Sequence, residues 1–148
     1  MEYDEVVSIL DFGPDRLGHA LLLPPTLQSK LNELQIPVES CPTSNVLTCE
    51  LHKHPNSSSD DGSLVEGLAL HPQLPAWIRQ QHPVSIGTDD PGIFDTSQTK
   101  ELLLVHHTFG ISPEELQNIV LQSMEFAFCN NETKELVKAR IGSWKFVK

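Results

Sequence analysis

Short strand-like segments alternate with helical segments along this chain, and that alternation restricts its fold more than any other feature. Strands are predicted at residues 15–20, 36–40 and 83–87, where apolar residues end in glycine, proline or polar residues. Strands that are separated by helices usually pair in parallel through right-handed crossovers. The chain is therefore predicted to be an α/β protein, with either a doubly wound sheet or a β/α barrel.

Helices are predicted before, between and after these strands. The strongest start lies at Ser112, which precedes Pro113 and stands three residues before Glu115, the pattern of a capping box. Asn131 is the predicted N-cap of the last helix, and Gly142 is its predicted stop. The predicted helices cover residues 2–11, 26–35, 72–81, 98–109, 113–128 and 131–140.

The composition of the chain excludes several classes of protein. Its 148 residues suit one domain, and a net charge of −10 with only ten Lys and Arg offers no basic surface for a nucleic acid. The apolar segments fall short of the roughly 20 residues of a membrane span. Three cysteines without metal-ligand spacing, and an acidic start without a signal peptide, favour a reduced, cytoplasmic setting.

Polar side chains follow each predicted strand at the point where the strand ends. They are His19 after Gly18, the cluster at residues 41–45, and Asp89 with Asp90. Alone, a histidine after a strand is more often structural than functional, but α/β enzymes place their reactive groups at this edge. Two adjacent carboxylates repel each other unless a cation or a donor is near. The pattern indicates a site, and a metal is the simplest partner for the aspartates.

Three segments resemble successive motifs of the adenosine deaminase family, in the same order and with similar spacing. They are residues 15–20 (Asp-Arg-Leu-Gly-His-Ala), residues 39–46 (Glu-Ser-Cys-Pro-Thr-Ser-Asn-Val) and residues 84–94, which include Thr-Asp-Asp-Pro-Gly. Residues 94–97 and the helices that follow look closest to the adenosine deaminase-like branch, which hydrolyses N6-substituted AMP. The resemblance implies a partial (β/α)8 TIM barrel, made of its last three β/α units and the C-terminal helices.

The resemblance also assigns roles to three residues. Asp89 matches the carboxylate that ligates the one Zn²⁺ of the family's site, and Asp90 matches the residue that hydrogen-bonds the purine ring. His19 matches the histidine that helps to deprotonate and hold the zinc-bound water. The implied reaction is hydrolytic deamination of adenosine or an N6-substituted AMP. Ala20 stands where many relatives carry glycine, which perturbs packing on the substrate side.

The family pattern also needs residues that these 148 do not supply. A His-x-His pair and a His-Ala-Gly-Glu segment should precede residue 15, and neither is present there. His52 and His54 have the His-x-His spacing, but they border a predicted exposed loop at residues 53–66, within an irregular stretch over residues 43–67. The other histidines are interpreted as structural or solvated; they are His71, His82, His106 and His107.

A complete barrel takes about 250 residues, so the chain is expected to be the C-terminal part of one, and to be inactive alone because one aspartate cannot hold catalytic zinc. The open edge of a partial barrel favours association with another chain. A second hypothesis is a non-catalytic interaction or regulatory module that keeps the motifs by descent. A third is an unrelated α/β binding module.

Overall fold

Three short parallel strands form one sheet in the computed structural model, which describes residues 3–53 and 63–144. The strands are β1 (Leu17–Gly18), β2 (Val38–Ser40) and β3 (Val84–Ile86), in the spatial order β1-β2-β3. Val38 is in register with Leu17 on one side and with Val84 on the other. The predicted α/β class and the parallel pairing are confirmed, although each strand is shorter than predicted.

Helices precede, connect and follow the strands. They are α1 (Tyr3–Phe12), α2 (Pro25–Leu34), α3 (Pro42–Thr48), α4 (Leu64–Ala69), α5 (Leu74–Arg79), α6 (Pro91–Phe94), α7 (Gln98–Phe109), α8 (Pro113–Ser123) and α9 (Asn131–Gly142). Two 3-10 turns cover Leu51–Lys53 and Met124–Phe126. Among the described residues, no helix is long and apolar enough to cross a bilayer.

The ends of the last two helices test the predicted caps. The capping box of Ser112 and Glu115 is present in both directions at the start of α8. That helix ends at Ser123 rather than near residue 128, because the chain tightens there into a 3-10 turn. Asn130, not Asn131, caps α9 by accepting a hydrogen bond from the N–H of Thr133. A one-residue error is expected, since either asparagine could cap by sequence.

The predicted irregular stretch over residues 43–67 is wrong where the structure describes it. Helix α3 begins directly after β2 with Pro42 in its first turn, and α4 begins after Ser63, whose hydroxyl accepts from the N–H of Glu66. A Cβ on Gly67 would lie 2.6 Å from a methyl carbon of Val46, so α4 packs against α3 where only glycine fits. Residues 54–62, most of the predicted loop, lie outside the described part of the chain.

One apolar core connects the sheet to the helices around it. Its fully buried members come from α1, α2, the strands, α3, α4, α5 and α7, and include Leu10, Leu31, Val38, Val46, Leu68, Trp77 and Val105. Burial of each large apolar side chain stabilises the fold by about 1.5–3 kcal/mol. The core thus holds the strands and α3 rigidly, and the polar residues after the strands are positioned by it.

Candidate active site

His19 lies directly after β1, at the carboxyl end of the sheet. Its backbone N–H donates a 2.7 Å hydrogen bond to the carbonyl oxygen of Glu39 in β2. The φ angles of His19 and Ala20 are 56° and 48°, both in the left-handed region. The chain therefore turns sharply after the strand, and the imidazole contacts Asn45 in α3 and Asp89 beyond β3.

Asp89 lies beyond β3 at the same end of the sheet. Its Oδ2 is 3.7 Å from Nε2 of His19 and accepts a 2.7 Å hydrogen bond from the hydroxyl of Ser44. The side chains of His19 and Asp89 are 39% and 30% exposed, so a small molecule can reach both. The structure thus brings an imidazole and a carboxylate together from the ends of β1 and β3, beside the first turn of α3.

Asp90 stands next to Asp89 but is arranged differently. Its carbonyl oxygen accepts hydrogen bonds from the N–H groups of Ile93 and Phe94, at 2.9 and 3.0 Å, which starts α6. Its carboxylate does not cap that helix, and the residue is exposed. The backbone of Asp90 is therefore fixed by α6, while the residue is exposed directly after Asp89 in the chain, without a described contact to His19.

A buried carboxylate that sequence reasoning missed anchors α3 under the site. Glu101 of α7 is fully buried, and its Oε2 accepts a 2.9 Å hydrogen bond from the backbone N–H of Thr43. Its Oε1 accepts from the hydroxyl of Thr96. A carboxylate at the first turn of a helix satisfies N–H groups that lack partners within the helix. Glu101 thereby fixes the turn that carries Ser44 and Asn45.

Cys41 precedes α3 and lies beneath the site as a neutral thiol. Burial, followed by the negative charges of Glu39 and Asp89, raises the pKa of its thiol to about 12. A Cβ on Gly87 would lie 2.9 Å from a carboxylate oxygen of Glu39 and 3.3 Å from the sulfur of Cys41, so glycine leaves room for both side chains here. Cys41 is therefore a packing residue rather than a nucleophile.

A chain of hydrogen bonds leads from His19 into the interior. The amide of Asn45 lies 2.9 Å from Nδ1 of His19 and 3.2 Å from Nε2 of His71, and both Asn45 and His71 are buried. Nδ1 of His71 accepts hydrogen bonds from the backbone N–H groups of Gln73 and Leu74. Sequence reasoning missed this link, because His71-Pro72 has only the pattern of an element boundary.

The remaining histidines lie away from His19. His82 is buried beneath Trp77, and its Nε2 hydrogen-bonds the carbonyl oxygen of Ile36 at 2.9 Å, which is a structural role. Nδ1 of His52 lies 3.4 Å from the carbonyl oxygen of Val46, and His54 is outside the described residues. Within residues 3–53 and 63–144, no group of three or more His, Cys, Asp or Glu side chains is arranged to hold a metal ion.

A sizeable cavity of the described chain lies elsewhere. It measures about 610 Å³ and is lined mainly by residues of α5, the end of α7, the segment before α8 and α8, including Trp77, Phe109 and Glu115. Neither His19 nor Asp89 lines it. The His19–Asp89 edge is favoured as the candidate site, because an imidazole, a carboxylate and a hydroxyl converge there at the ends of parallel strands.

Comparison with known sequences points to one family. The sequence model of the adenosine deaminase family matches residues 5–144 of the chain. The adenosine deaminase-like protein of Drosophila melanogaster is 31% identical over 140 residues, which are 95% of this chain and 37% of that protein. The chain therefore spans little more than a third of the length of that relative.

Solved structures share the same arrangement of strands and helices. The apo structure of the N6-methyl-AMP deaminase from Arabidopsis thaliana has a TM-score of 0.81 at 27% identity, and covers 97% of this chain and 38% of its own. The crystal structure of arabidopsis ADAL complexed with IMP also gives a TM-score of 0.81, at 26% identity and with the same coverage of both chains. The three-stranded parallel sheet and its helices thus match part of these deaminase structures.

Proposed function

Because the chain belongs to the adenosine deaminase family, we propose that His19, Asp89 and Asp90 are part of an active site that hydrolytically removes the C6 amine of a purine. The observation that carries this proposal is the 3.7 Å approach of His19 Nε2 to Asp89 Oδ2 at the carboxyl end of three parallel strands. In β/α folds this end of the sheet is where reactive groups collect. The two residues come from different strands, so their meeting is a property of the fold.

We assign Asp89 as a ligand of catalytic zinc. A carboxylate oxygen is a ligand that zinc accepts, and the hydroxyl of Ser44 holds the carboxylate in one orientation. When bound, zinc supplies a Lewis acid that lowers the pKa of water towards ~7. Catalytic zinc usually takes three protein ligands, so Asp89 fits as one member of a larger set. On this count the 148 residues alone are inactive.

His19 and Asp90 have distinct roles in this proposal. His19 lies within reach of an oxygen atom beside Asp89, and it hydrogen-bonds the attacking water there. Asp90 follows Asp89 directly and is exposed on a backbone fixed by α6, and we assign its carboxyl group to a hydrogen bond with a ring nitrogen of the purine. One group therefore orients the nucleophile, and the other orients the base that it attacks.

The substrate that we favour is an N6-substituted AMP, with adenosine as the alternative. Similar proteins of Arabidopsis thaliana and Danio rerio are named for deamination of N6-methyl-AMP, and arabidopsis ADAL was crystallised with IMP. Hydrolysis at C6 replaces the amine of an AMP-type nucleotide by oxygen, which gives IMP, so that complex has the form of a product complex. The matching of this chain to those structures supports the nucleotide over the nucleoside.

We also propose that the three strands are the last β/α units of a larger barrel and that their exposed surface contacts further protein. Large apolar side chains are exposed at Phe12 in α1, Leu22 in the turn between β1 and α2, and Ile93 in α6. Scattered apolar residues are normal on a surface, but together with a short open sheet they favour a packing partner. An interaction module without activity would use the same surface, and the assay below separates the two.

The test uses the 148-residue chain alone and a chimaera in which it replaces the matching third of the Arabidopsis N6-methyl-AMP deaminase. Release of inosine-type product from N6-methyl-AMP and from adenosine is followed by chromatography, and bound zinc by elemental analysis. We expect activity and zinc in the chimaera, and neither in the chain alone. A folded chimaera that binds zinc but deaminates neither substrate would leave the interaction module as the better hypothesis.

A further inference from the structure

The hydrogen bonds around His71 define which of its nitrogens carries a proton. Nδ1 accepts from two backbone N–H groups, those of Gln73 at 3.2 Å and Leu74 at 2.9 Å. A nitrogen that accepts must have a free lone pair, so Nδ1 of His71 carries no proton. Burial lowers the pKa of His71 to about 4, which keeps the ring neutral at physiological pH. A neutral imidazole has one N–H, which in His71 must be Nε2–H.

The proton on His71 in turn orients the amide of Asn45. Nε2–H of His71 faces that amide across 3.2 Å, and an N–H can bond only to the amide oxygen, not to its NH₂ group. In the structure Nδ2 of Asn45 faces His71 and Oδ1 faces His19. Amide oxygen and nitrogen have almost equivalent positions and are assigned from such networks, so the proton on His71 reverses this assignment. With the oxygen towards His71, the hydroxyl of Ser40, 3.4 Å away, can also donate to it. The NH₂ group then faces Nδ1 of His19 at 2.9 Å.

We propose that Asn45, oriented by His71, is a positioning residue that fixes His19 in the Nε2–H tautomer. With the amide reversed in this way, its NH₂ group takes the position 2.9 Å from Nδ1 of His19 and donates to it, so the ring proton lies on Nε2, the nitrogen nearest to Asp89. The opposite amide orientation would place NH₂ against the N–H of His71 in a buried environment, where unsatisfied donors cost roughly 1–3 kcal/mol. The backbone N–H groups of Gln73 and Leu74 thus set the tautomer of His71. That tautomer orients the amide of Asn45, which in turn sets the tautomer of His19.

This tautomer determines what His19 offers to the site. Nε2 and Oδ2 of Asp89 are 3.7 Å apart, too far for a direct hydrogen bond, so the N–H is available to a third oxygen atom that approaches both from the solvent side. His19 therefore presents a donor at Nε2, which stabilises an oxygen that gains negative charge. The chemical consequence rests on the proposed deaminase function, whereas the tautomer itself does not.

The tautomer is measured on the 148-residue chain labelled with ¹⁵N-histidine. Long-range ¹H–¹⁵N correlations at about pH 8, above the ordinary range of histidine pKa values, distinguish protonated from unprotonated ring nitrogens. His19→Gln and His71→Gln variants assign the signals. We expect both His19 and His71 to show a protonated Nε2 and an unprotonated Nδ1. A protonated Nδ1 on His19 would overturn the proposal without any variant.

Asn45→Asp is the sharpest variant, because it keeps the shape and replaces the NH₂ donor by an acceptor oxygen. We expect the proton of His19 to move from Nε2 to Nδ1, with the tautomer of His71 unchanged. Asn130→Asp, which preserves the N-cap of α9, is the matched control and should leave His19 as Nε2–H. If Asn45→Asp does not fold, Asn45→Ala should give a mixture of both His19 tautomers. A single Nε2–H tautomer in a folded Asn45 variant would refute the role of Asn45.

Failure of this inference and failure of the proposed function give different results. The tautomer measurement needs neither metal, substrate nor turnover, so an inactive chimaera leaves it standing. An active chimaera whose His19 carries its proton on Nδ1 would refute only the tautomer. If Asn45 and His71 had only a structural role, their substitution would change the stability of the chain. It would not move the ring proton of His19 from one nitrogen to the other.

Discussion

The hydroxyl of Ser44 donates a 2.7 Å hydrogen bond to Oδ2 of Asp89, and so joins the first turn of α3 to the segment that follows β3. A carboxylate that binds a metal needs its rotamer fixed before the metal arrives, because an unordered ligand loses entropy on binding. α3 is fixed in turn by Glu101 through the N–H of Thr43. The orientation of Asp89 therefore depends on a residue of α7 that never touches it.

We expect Ser44→Ala in the chimaera to weaken zinc affinity by about 10-fold to 100-fold, the range seen when residues that orient a ligand are removed. The reason is that Asp89 loses the donor that fixes its carboxylate. Competition with a zinc chelator measures the affinity. Ser8→Ala, which removes a hydroxyl bonded only within α1, is the control and should have no effect.

Substitution of Asp89 and of His19 should separate metal binding from turnover. Asp89→Ala in the chimaera is expected to remove zinc, because a proposed ligand is lost. His19→Ala should retain zinc and slow turnover by roughly 10² to 10⁴, the usual contribution of a positioned acid–base or donor group. Elemental analysis and kcat of the two variants provide the comparison. Equal zinc in both would exclude Asp89 as a ligand.

The sequence was enough to predict where His19 and Asp89 lie, because their positions follow from one rule: parallel strands end at the same edge. It was not enough to predict α3, since Thr43, Ser44 and Asn45 have modest helix propensity. Their helix is stabilised by burial and by Glu101, a tertiary contact that local sequence does not contain. Strand lengths were overestimated for the same reason, because pairing, not propensity, ends a strand.

The functional network was also only partly predictable. Motif resemblance placed His19, Asp89 and Asp90 in the candidate site, but it carries no information about which side chains touch them. Asn45 and His71 are separated by α4 and contact each other only through the fold. The N–H that we assign to Nε2 of His19 therefore depends on Asn45 and His71 as well, and no single sequence motif contains all three residues.

Glu101→Gln should destabilise the fold more than its conservative chemistry suggests. The amide keeps one acceptor oxygen but presents an NH₂ group to a donor, either the N–H of Thr43 or the hydroxyl of Thr96. Hydrogen bonds to charged groups contribute about 1.5–3 kcal/mol, and we expect a loss of that size in the free energy of unfolding in urea. Glu33→Gln on the exposed face of α2 should change it by no more than about 0.5 kcal/mol. Equal effects would mean that Glu101 does not anchor α3.

Ala20→Gly should stabilise the chain, unlike most substitutions by glycine. Ala20 has a φ of 48°, a left-handed conformation that costs an L-residue roughly 1–2 kcal/mol and costs glycine nothing. Part of this gain is offset by the greater freedom of glycine in the unfolded chain, which leaves a net gain of about 0.5–1 kcal/mol. Ala76→Gly within α5 is the control and should destabilise by up to about 1 kcal/mol. The same sign of change at both positions in urea unfolding would contradict the left-handed geometry.

The burial of His71 should make the chain less stable as the pH falls below about 6.5. Burial lowers the pKa of folded His71 to about 4, whereas the unfolded side chain has a pKa near 6.5. Between these two pH values the unfolded state binds more protons than the folded state. The free energy of unfolding therefore decreases as the pH is lowered, by a total on the order of 3 kcal/mol. Burial also lowers the pKa of His82, which adds a loss of the same sign. The free energy of unfolding, measured in urea from about pH 7.5 to pH 4.5, should therefore decrease less in His71→Gln than in the unmodified chain. His107→Gln, on the exposed side of α7, is the control and should lose as much stability with falling pH as the unmodified chain. An equal loss in His71→Gln would show that the fold does not hold His71 neutral.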